Sequence, residues 1–274
     1  MAKHRSYQRP PLPFIGSKLR WWRELQILAA KLPQGGCVFD AFGGSMSAAR
    51  VIKDTRPDLT VITNDFRHDY RRRLDAAPQT AEVLKQLQAV APKRSYVEYT
   101  GFDEETRAKC VAIVSDAEDE ETAWRWLNGR GYVSNKVPSG APVCPKTCDE
   151  WTKGLVVIDD EMTAYEARYW AESGAFVILD PPYMGAVKMG FDLASTYEDG
   201  RIDAQAFCVE YLRLSDNWCL FEKPDSGLVR LAREKGAVEI RRQGKRNRQT
   251  ADEVMMVCEA YAIAAQRARM AAWS

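Results

Sequence analysis

Histidine is nearly missing from this chain: His4 and His68 are the only two in 274 residues. A zinc site therefore has few imidazoles to draw on. The seven cysteines do not make up for this, since Cys144 and Cys148 have no second pair nearby. Their odd number, without framework spacing, argues against a disulfide scaffold. No apolar run approaches the ~20 residues that a membrane-spanning helix needs. Met1 to Pro13 is basic and holds no apolar stretch of the signal-peptide kind. These absences predict a cytoplasmic protein with reduced, buried thiols, no metal and no membrane partner. Two nucleotide signatures are also missing, the phosphate loop G-x-x-x-x-G-K-[ST] and the dinucleotide loop G-x-G-x-x-G. Their absence disfavours nucleoside triphosphates and dinucleotide cofactors.

What is present belongs to a globular α/β protein. Hydrophobic residues make up 46% of the chain, enough for a substantial core. The length suits one large domain or a domain carrying an insertion. Short apolar runs predict parallel strands at Cys37–Phe39, Thr60–Thr63, Leu155–Ile158, Ala175–Leu179 and Cys219–Phe221, separated by helical sequence. A helix is predicted from Lys18 to Leu32, others over Ala48–Lys53, Thr80–Val90, Met162–Ser173, Phe207–Leu214 and Ser226–Lys235. Val238–Ile240 and Glu253–Val257 predict a terminal antiparallel pair. Residues 67–150 break the alternation. The chain therefore divides into a sheet-bearing part, 1–66 and 151–274, and an insert, 67–150.

The run Ala175–Leu179 ends in Asp180-Pro181-Pro182-Tyr183. Two prolines cannot continue a strand ladder, so the chain turns out at the carboxyl end. In open α/β sheets that is where ligands bind. The turn offers a carboxylate, outward carbonyls and an aromatic ring. Hydrogen bonds from an exocyclic nucleobase amine to Asp180 and the Pro181 carbonyl would favour its pyramidal, nucleophilic form. Tyr183 can stack on the base, a contact worth roughly 1–3 kcal/mol. An ordinary strand-ending turn is the competing explanation of the same four residues.

Upstream, Cys37–Phe39 leads into Asp40-Ala41-Phe42-Gly43-Gly44-Ser45 and then into helical sequence. This strand, glycine loop and helix form the first step of a nucleotide-binding unit. The glycine pair admits close approach by a ligand lacking a pyrophosphate, and Asp40 can take an ammonium group. Asp65 stands 21 positions after Gly44, where an acid closing the second strand binds ribose hydroxyls. A cofactor with a ribose and an ammonium but no phosphate is S-adenosyl-L-methionine. One further acid, Asp159 or Asp160, closes the strand before the catalytic turn.

Net charge is only +1, but it is unevenly spread. Basic clusters occur at Lys3–Arg9, Lys18–Arg23, Arg67–Arg73 and Arg241–Arg248, and acids gather at Asp103–Glu105 and Asp116–Glu121. Such segregation can present a positive face to a phosphate backbone, or simply be solvated helix faces and loops. Asn128–Gly140 reads as a loop or hairpin, either an ordinary solvated loop or one whose Arg130, Tyr132, Asn135 and Lys136 suit the reading of base edges.

Taken in order, these segments resemble the Dam-like DNA adenine-N6 methyltransferases, including phage-encoded members. Pro13-Phe14-Ile15-Gly16-Ser17-Lys18 is similar to that family's first motif, and Phe39–Ser45 to its cofactor loop. Asn64-Asp65 is similar to its ribose-binding acid and Asp180–Tyr183 to its catalytic signature. Arg246-Asn247-Arg248 with the strand 253–257 resembles its closing segment. The departures are Asp40-Ala41, where the family often has Glu-Pro or Asp-Leu, and Ser17 in place of a second glycine. The insert matches poorly, so no target sequence carries over.

The resemblance implies a Rossmann-like S-adenosylmethionine-dependent methyltransferase sheet with a mostly helical target-recognition insert. It implies double-stranded DNA as partner and a flipped adenine as substrate. Asp180, Pro181, Pro182 and Tyr183 would form the catalytic turn. The cofactor would be held by Phe14, Lys18, Asp40, Phe42, Gly43, Gly44, Ser45, Asp65, Asp159, Asp160 and Asp180. Arg130, Tyr132, Asn135, Lys136, Arg246 and Arg248 would contact DNA. Cytosine N4, RNA adenine and a silent DNA-binding protein of the same fold remain alternatives. So do host regulation, restriction and phage self-protection as the purpose, and monomer or weak dimer as the state.

Overall fold

The computed structural model describes residues 10–12, 17–66, 69–91, 103–129, 145–182, 201–242 and 253–261. Phe14, Tyr183, Arg130, Tyr132, Asn135, Lys136, Arg246 and Arg248 lie outside them. By their contacts the described residues fall into two compact units, one of 17–66, 154–182, 201–242 and 253–261 and the other of 10–12, 69–91, 103–129 and 145–153.

The first unit is a seven-stranded sheet. Its strands are β1 (Cys37–Asp40), β2 (Thr60–Asn64), β3 (Val156–Ile158), β4 (Phe176–Leu179), β5 (Trp218–Glu222), β6 (Val238–Arg242) and β7 (Glu253–Val257). Their spatial order is β3-β2-β1-β4-β5-β7-β6. The pairs β1–β2, β1–β4, β2–β3 and β4–β5 are parallel, whereas β7 runs antiparallel between β5 and β6. The order reverses between β1 and β4, which makes the carboxyl ends of those two strands the switch point. This mostly parallel sheet ending in an antiparallel hairpin is Rossmann-like, as the sequence predicts.

Both faces of the central strands β1, β4 and β5 are largely buried, and that explains their continuous apolar runs. Odd and even strand positions feed two separate cores. Val38, Val61, Ile178, Phe221 and Met255 pack with Trp21, Leu25 and Leu28, and with Val51 and Ile52 of α2 (Ser47–Thr55). Trp21 ends a 3-10 turn, Lys18–Trp21, and α1 follows at Trp22–Ala29. The predicted single helix 18–32 is thus a tight turn plus a shorter α-helix. Ser17 opens the turn by accepting a hydrogen bond from the Leu19 amide, and both Ser17 Oγ and the Lys18 amide bond Ser47 Oγ.

On the other face, Phe39, Val177, Leu179, Leu220 and Met256 pack against three helices. These are α8 (Ala164–Glu172), α9 (Arg201–Leu214) and α10 (Gly227–Glu234). Phe39 stacks on Trp170 with ring centroids 3.7 Å apart. The α9 helix begins six residues before the predicted start, at Arg201. Its amino-terminal turn is polar, so apolar periodicity is silent there.

The described residues of the second unit are mostly helical, as the insert was expected to be. Its helices are α3 (Asp69–Asp75), α4 (Ala77–Val90), α5 (Glu104–Ser115), α6 (Glu120–Gly129) and α7 (Pro145–Trp151). Val83, Leu84, Leu87, Cys110, Val114, Trp126 and Leu127 make its core. Asn128 and Gly129, predicted as the start of a loop, instead end α6. Charge is arranged differently in space than along the chain. Arg73 is buried and binds Asp119 at 3.0 Å, Glu121 at 2.8 Å and Thr122 Oγ1 at 3.0 Å. One residue of a basic cluster is thus paired with the acidic patch inside this unit. Asp119 also accepts from the Thr122 amide, which caps α6. Removing one partner strands the other buried charge, so Arg73→Met should cost about 3–5 kcal/mol. Denaturant unfolding checks this; a loss below about 1 kcal/mol would mean that the pair is incidental.

Candidate active site

Every parallel strand of the sheet ends in an acid or passes directly into one. In spatial order these are Asp159 after β3, Asp65 after β2, Asp40 closing β1, Asp180 after β4 and Glu222 closing β5. Parallel register brings these ends to one edge of the sheet. Asp40 and Asp180 flank the switch point.

The loop after β1 lies hard against β2. The Gly43 amide donates to the Asn64 carbonyl at 2.9 Å. A Cβ on Gly43 would stand 2.1 Å from Thr63 Oγ1 and 2.9 Å from the Asn64 carbonyl oxygen. No side chain fits there, which is the physical reason for the first glycine. Gly44 and Met46 both have positive φ, 46° and 55°. For buried Met46 this is a rarely populated backbone conformation, held by a hydrogen bond of 2.6 Å from its amide to the Gly43 carbonyl. Phe42 meets Phe207 edge to face at 5.8 Å, and Ser45 is buried.

Asn64, the residue before the expected ribose-binding acid, ties the strand ends together. Its amide nitrogen donates to the Asp160 and Ala41 carbonyls at 2.8 and 3.2 Å, and its Oδ1 accepts from the Asp160 amide at 2.9 Å. Asp65 is buried and its amide donates to the Ile158 carbonyl. Asp159 and Asp160 are exposed.

Lys18 reaches Asp180 from the 3-10 turn. Its ammonium lies 2.8 Å from Asp180 Oδ2 and 3.1 Å from Glu253 Oε1, and its side chain is 5% exposed. Burial alone would lower the Lys18 pKa, but the two carboxylates outweigh it and hold the pKa above the usual lysine value. Burial pushes Asp180 up to about 6, against the pull of Lys18. Asp40 is pushed up to about 7, by burial first and then by the Asp180 charge. Asp40 Oδ2 is buried with no hydrogen-bond partner among the described residues. Pro181 is buried behind Asp180, and Pro182 is half-buried.

Two further acids belong here that sequence reading did not assign. Glu253 is the hub for Lys18, Arg20 and Trp21. Glu222 is buried, accepts its neighbour's amide at 2.7 Å, and is pushed up to about 7 by burial, with the Asp180 charge adding. The signal for Glu222 was available: like Asp40 and Asp180, it terminates an apolar run.

The strand-end acids and the close approach of the Gly43 loop are chemically compatible with S-adenosylmethionine. A pyrophosphate would meet carboxylates at every strand end. A ligand carrying a sulfonium, an ammonium and ribose hydroxyls would meet complementary groups, with the unpartnered Asp40 oxygen available to the ammonium.

No protein-family model matches the chain. A protein of Haemophilus influenzae (strain ATCC 51907 / DSM 11121 / KW20 / Rd) named "Putative methyltransferase" is 23% identical over 218 residues, covering 72% of each chain. Among solved structures, a precorrin-6y C5,15-methyltransferase from Geobacter metallireducens GS-15 aligns over 85% of this chain and 84% of its own. Its identity is 8% and its TM-score 0.29, so it adds nothing to the fold read from the sheet itself. The sheet and the Haemophilus relative support a methyltransferase. That fold implies S-adenosylmethionine as the methyl donor.

Two outcomes follow from this geometry. Gly43→Ala should destabilise the protein by about 1–3 kcal/mol and remove the rise in melting temperature on adding S-adenosylmethionine. Thr63→Ala added to Gly43→Ala should restore part of the stability, because it deletes the nearer clashing atom. If the double variant gains nothing, the approach to Thr63 is not what demands glycine.

The second concerns pH. The raised carboxyls keep their protons in the folded protein where the unfolded chain has lost them. The stability they contribute is complete below the ordinary carboxylate range and is lost as pH rises through about 6 to 7. Glu222→Gln should therefore melt about 2–4 °C higher than the parent at pH 8, a gain of roughly 1 kcal/mol, with little gain at pH 5. Equal melting temperatures at pH 8 would show that the Glu222 anion is well accommodated.

Proposed function

We propose that this protein is a site-specific DNA methyltransferase acting on the N6 amine of a flipped-out adenine. The observation that carries the reading is the Asp180-Pro181-Pro182 turn at the switch point, with Lys18 bound to its carboxylate at 2.8 Å. The following Tyr183 and the resemblance of the motif order to Dam-like enzymes support it, and so does the basic sequence of residues 241–248.

Bound S-adenosylmethionine supplies an electrophilic methyl group on a sulfonium. The protein's part is to hold the amine in line with it. Asp180 accepts one amine hydrogen and the Pro181 carbonyl the other, so the nitrogen lone pair leaves the ring plane. Methyl transfer from the sulfonium to the amine would release one amine proton, which Asp180 or water would take. Alignment dominates, because a poor nucleophile held at contact distance gains most from lost freedom already spent on binding. Lys18 keeps Asp180 in place and offsets the repulsion between its charge and those of Asp40 and Glu222.

The test is nucleoside mass spectrometry of unmethylated DNA incubated with the protein and S-adenosylmethionine. N6-methyladenine should accumulate with the parent protein and fall at least about 100-fold with Asp180→Ala. The variant should still fold, since Lys18 keeps Glu253 as partner, and should still bind DNA. N4-methylcytosine would keep the turn's role and change the base. No modified nucleoside, with cofactor binding intact, would refute DNA as substrate. With Asp180 at about 6, the single-turnover rate should rise through pH 6 to a plateau. A rate flat from pH 5 to 8 would exclude an ionised Asp180 as the hydrogen-bond acceptor.

A further inference from the structure

Glu253 opens β7, 73 positions from the catalytic turn in sequence. It is nonetheless one ammonium group away from Asp180. Its Oε1 takes Lys18 at 3.1 Å, while its Oε2 accepts from Arg20 Nε at 2.9 Å, from Arg20 Nη2 and from the Trp21 indole. Three donors on one short turn thus converge on one buried carboxylate. Trp21 is fully buried and packs on Phe221 at 5.7 Å between centroids; the Lys18 ammonium lies 5.7 Å from the same ring.

We infer that Glu253 is a positioning residue of this site: it seats the turn 18–21 on the sheet and shares the Lys18 ammonium with Asp180, and so fixes where the catalytic carboxylate stands. For the reaction itself the inference rests on the methyltransferase reading; for the geometry it does not. A carboxylate this buried is retained only with compensating donors. The alternation of β7 supplies the direction. Glu253, Met255 and Val257 face the α1–α2 side, where Lys18 enters, whereas Val254 and Met256 face away. An acid one place along would point to the wrong core.

The arrangement has an electrostatic consequence. Glu253 competes with Asp180 for one cation, and its charge opposes ionisation of Asp180 while Lys18 and Arg20 favour it. Asp40 and Glu222 interact electrostatically with Asp180 from β1 and β5, and the Cys208 and Cys219 thiols from α9 and β5. With Glu253 neutral, Asp180 no longer shares the Lys18 ammonium with that second carboxylate and faces one anion fewer.

The experiment is a carbon-13 NMR titration of the full chain labelled at aspartate side-chain carboxyls. The Asp180 signal is assigned by its loss in Asp180→Asn. In Glu253→Gln the Asp180 midpoint should fall by about one pH unit. Glu253→Asp keeps the charge and should leave the midpoint near the parent value. Arg20→Gln should raise it; Arg20 is 37% exposed, so this variant carries the test if Glu253→Gln does not fold. A midpoint unmoved in both charge-changing variants overturns the inference, since a purely structural Glu253 would not act on Asp180. Single-turnover methyl transfer is then read on the same proteins. The acid limb should follow the NMR midpoint, with the plateau rate for Glu253→Gln lower by about 10–100-fold at unchanged DNA affinity. A parent protein that methylates no nucleobase would overturn the DNA methyltransferase reading and leave the titration to judge Glu253.

Discussion

A single buried ammonium organises the site. Lys18 is brought in by a 3-10 turn, its own amide fixed to Ser47 on α2, and its charge is divided between Asp180 and Glu253. Burial alone would make each of these three groups unfavourable in its charged form. Together they hold one another, and they join a segment before the first strand, the turn after the fourth and the start of the seventh. These contacts come from parts of the chain that are distant in sequence, so the site assembles only when the sheet does.

Acids at the ends of five parallel strands set the rest of the chemistry. A parallel sheet places all its carboxyl ends on one edge, so a residue type repeated at strand ends becomes a row in space. Here the row concentrates negative charge around the switch point. It is tempered by Lys18 and Arg20 and left partly unsatisfied at Asp40. Such an edge favours a cationic ligand rich in hydroxyls and disfavours polyphosphates. The glycine loop carries out the complementary steric task. Gly43 lets the β1 loop touch β2, where any side chain would strike Thr63 and the Asn64 carbonyl.

Much of this was legible one-dimensionally. Asp180-Pro181-Pro182, Asp40 and the glycine pair announce themselves, because an acid or a glycine that stops a continuous apolar run has few structural reasons to be there. The parallel strands were equally plain, since burial on both faces writes itself as unbroken hydrophobicity. The helices of the insert were mostly not. The α5 helix mixes charges with apolar residues and has little periodic face, so its sequence carries a weak signal. Charge was misleading where it paired across the fold: Lys18, Arg20 and Arg73 lie in clusters that read as solvent-facing, yet each binds an acid remote in sequence.

The sequence by itself determined the local grammar of this protein: which runs become buried strands, where a loop must be glycine, and where a carboxylate meets a proline turn. Those are properties of a few adjacent residues and of their exposure to water, and they do not depend on the partner across the sheet. Tertiary structure alone decided that Glu253 and Glu222 stand beside Asp180, and that Lys18 is shared rather than free. A carboxylate's role is set by the charges within a few ångströms of it. Those charges come from whichever strand ends and turns the sheet order brings together, and no sequence spacing records that.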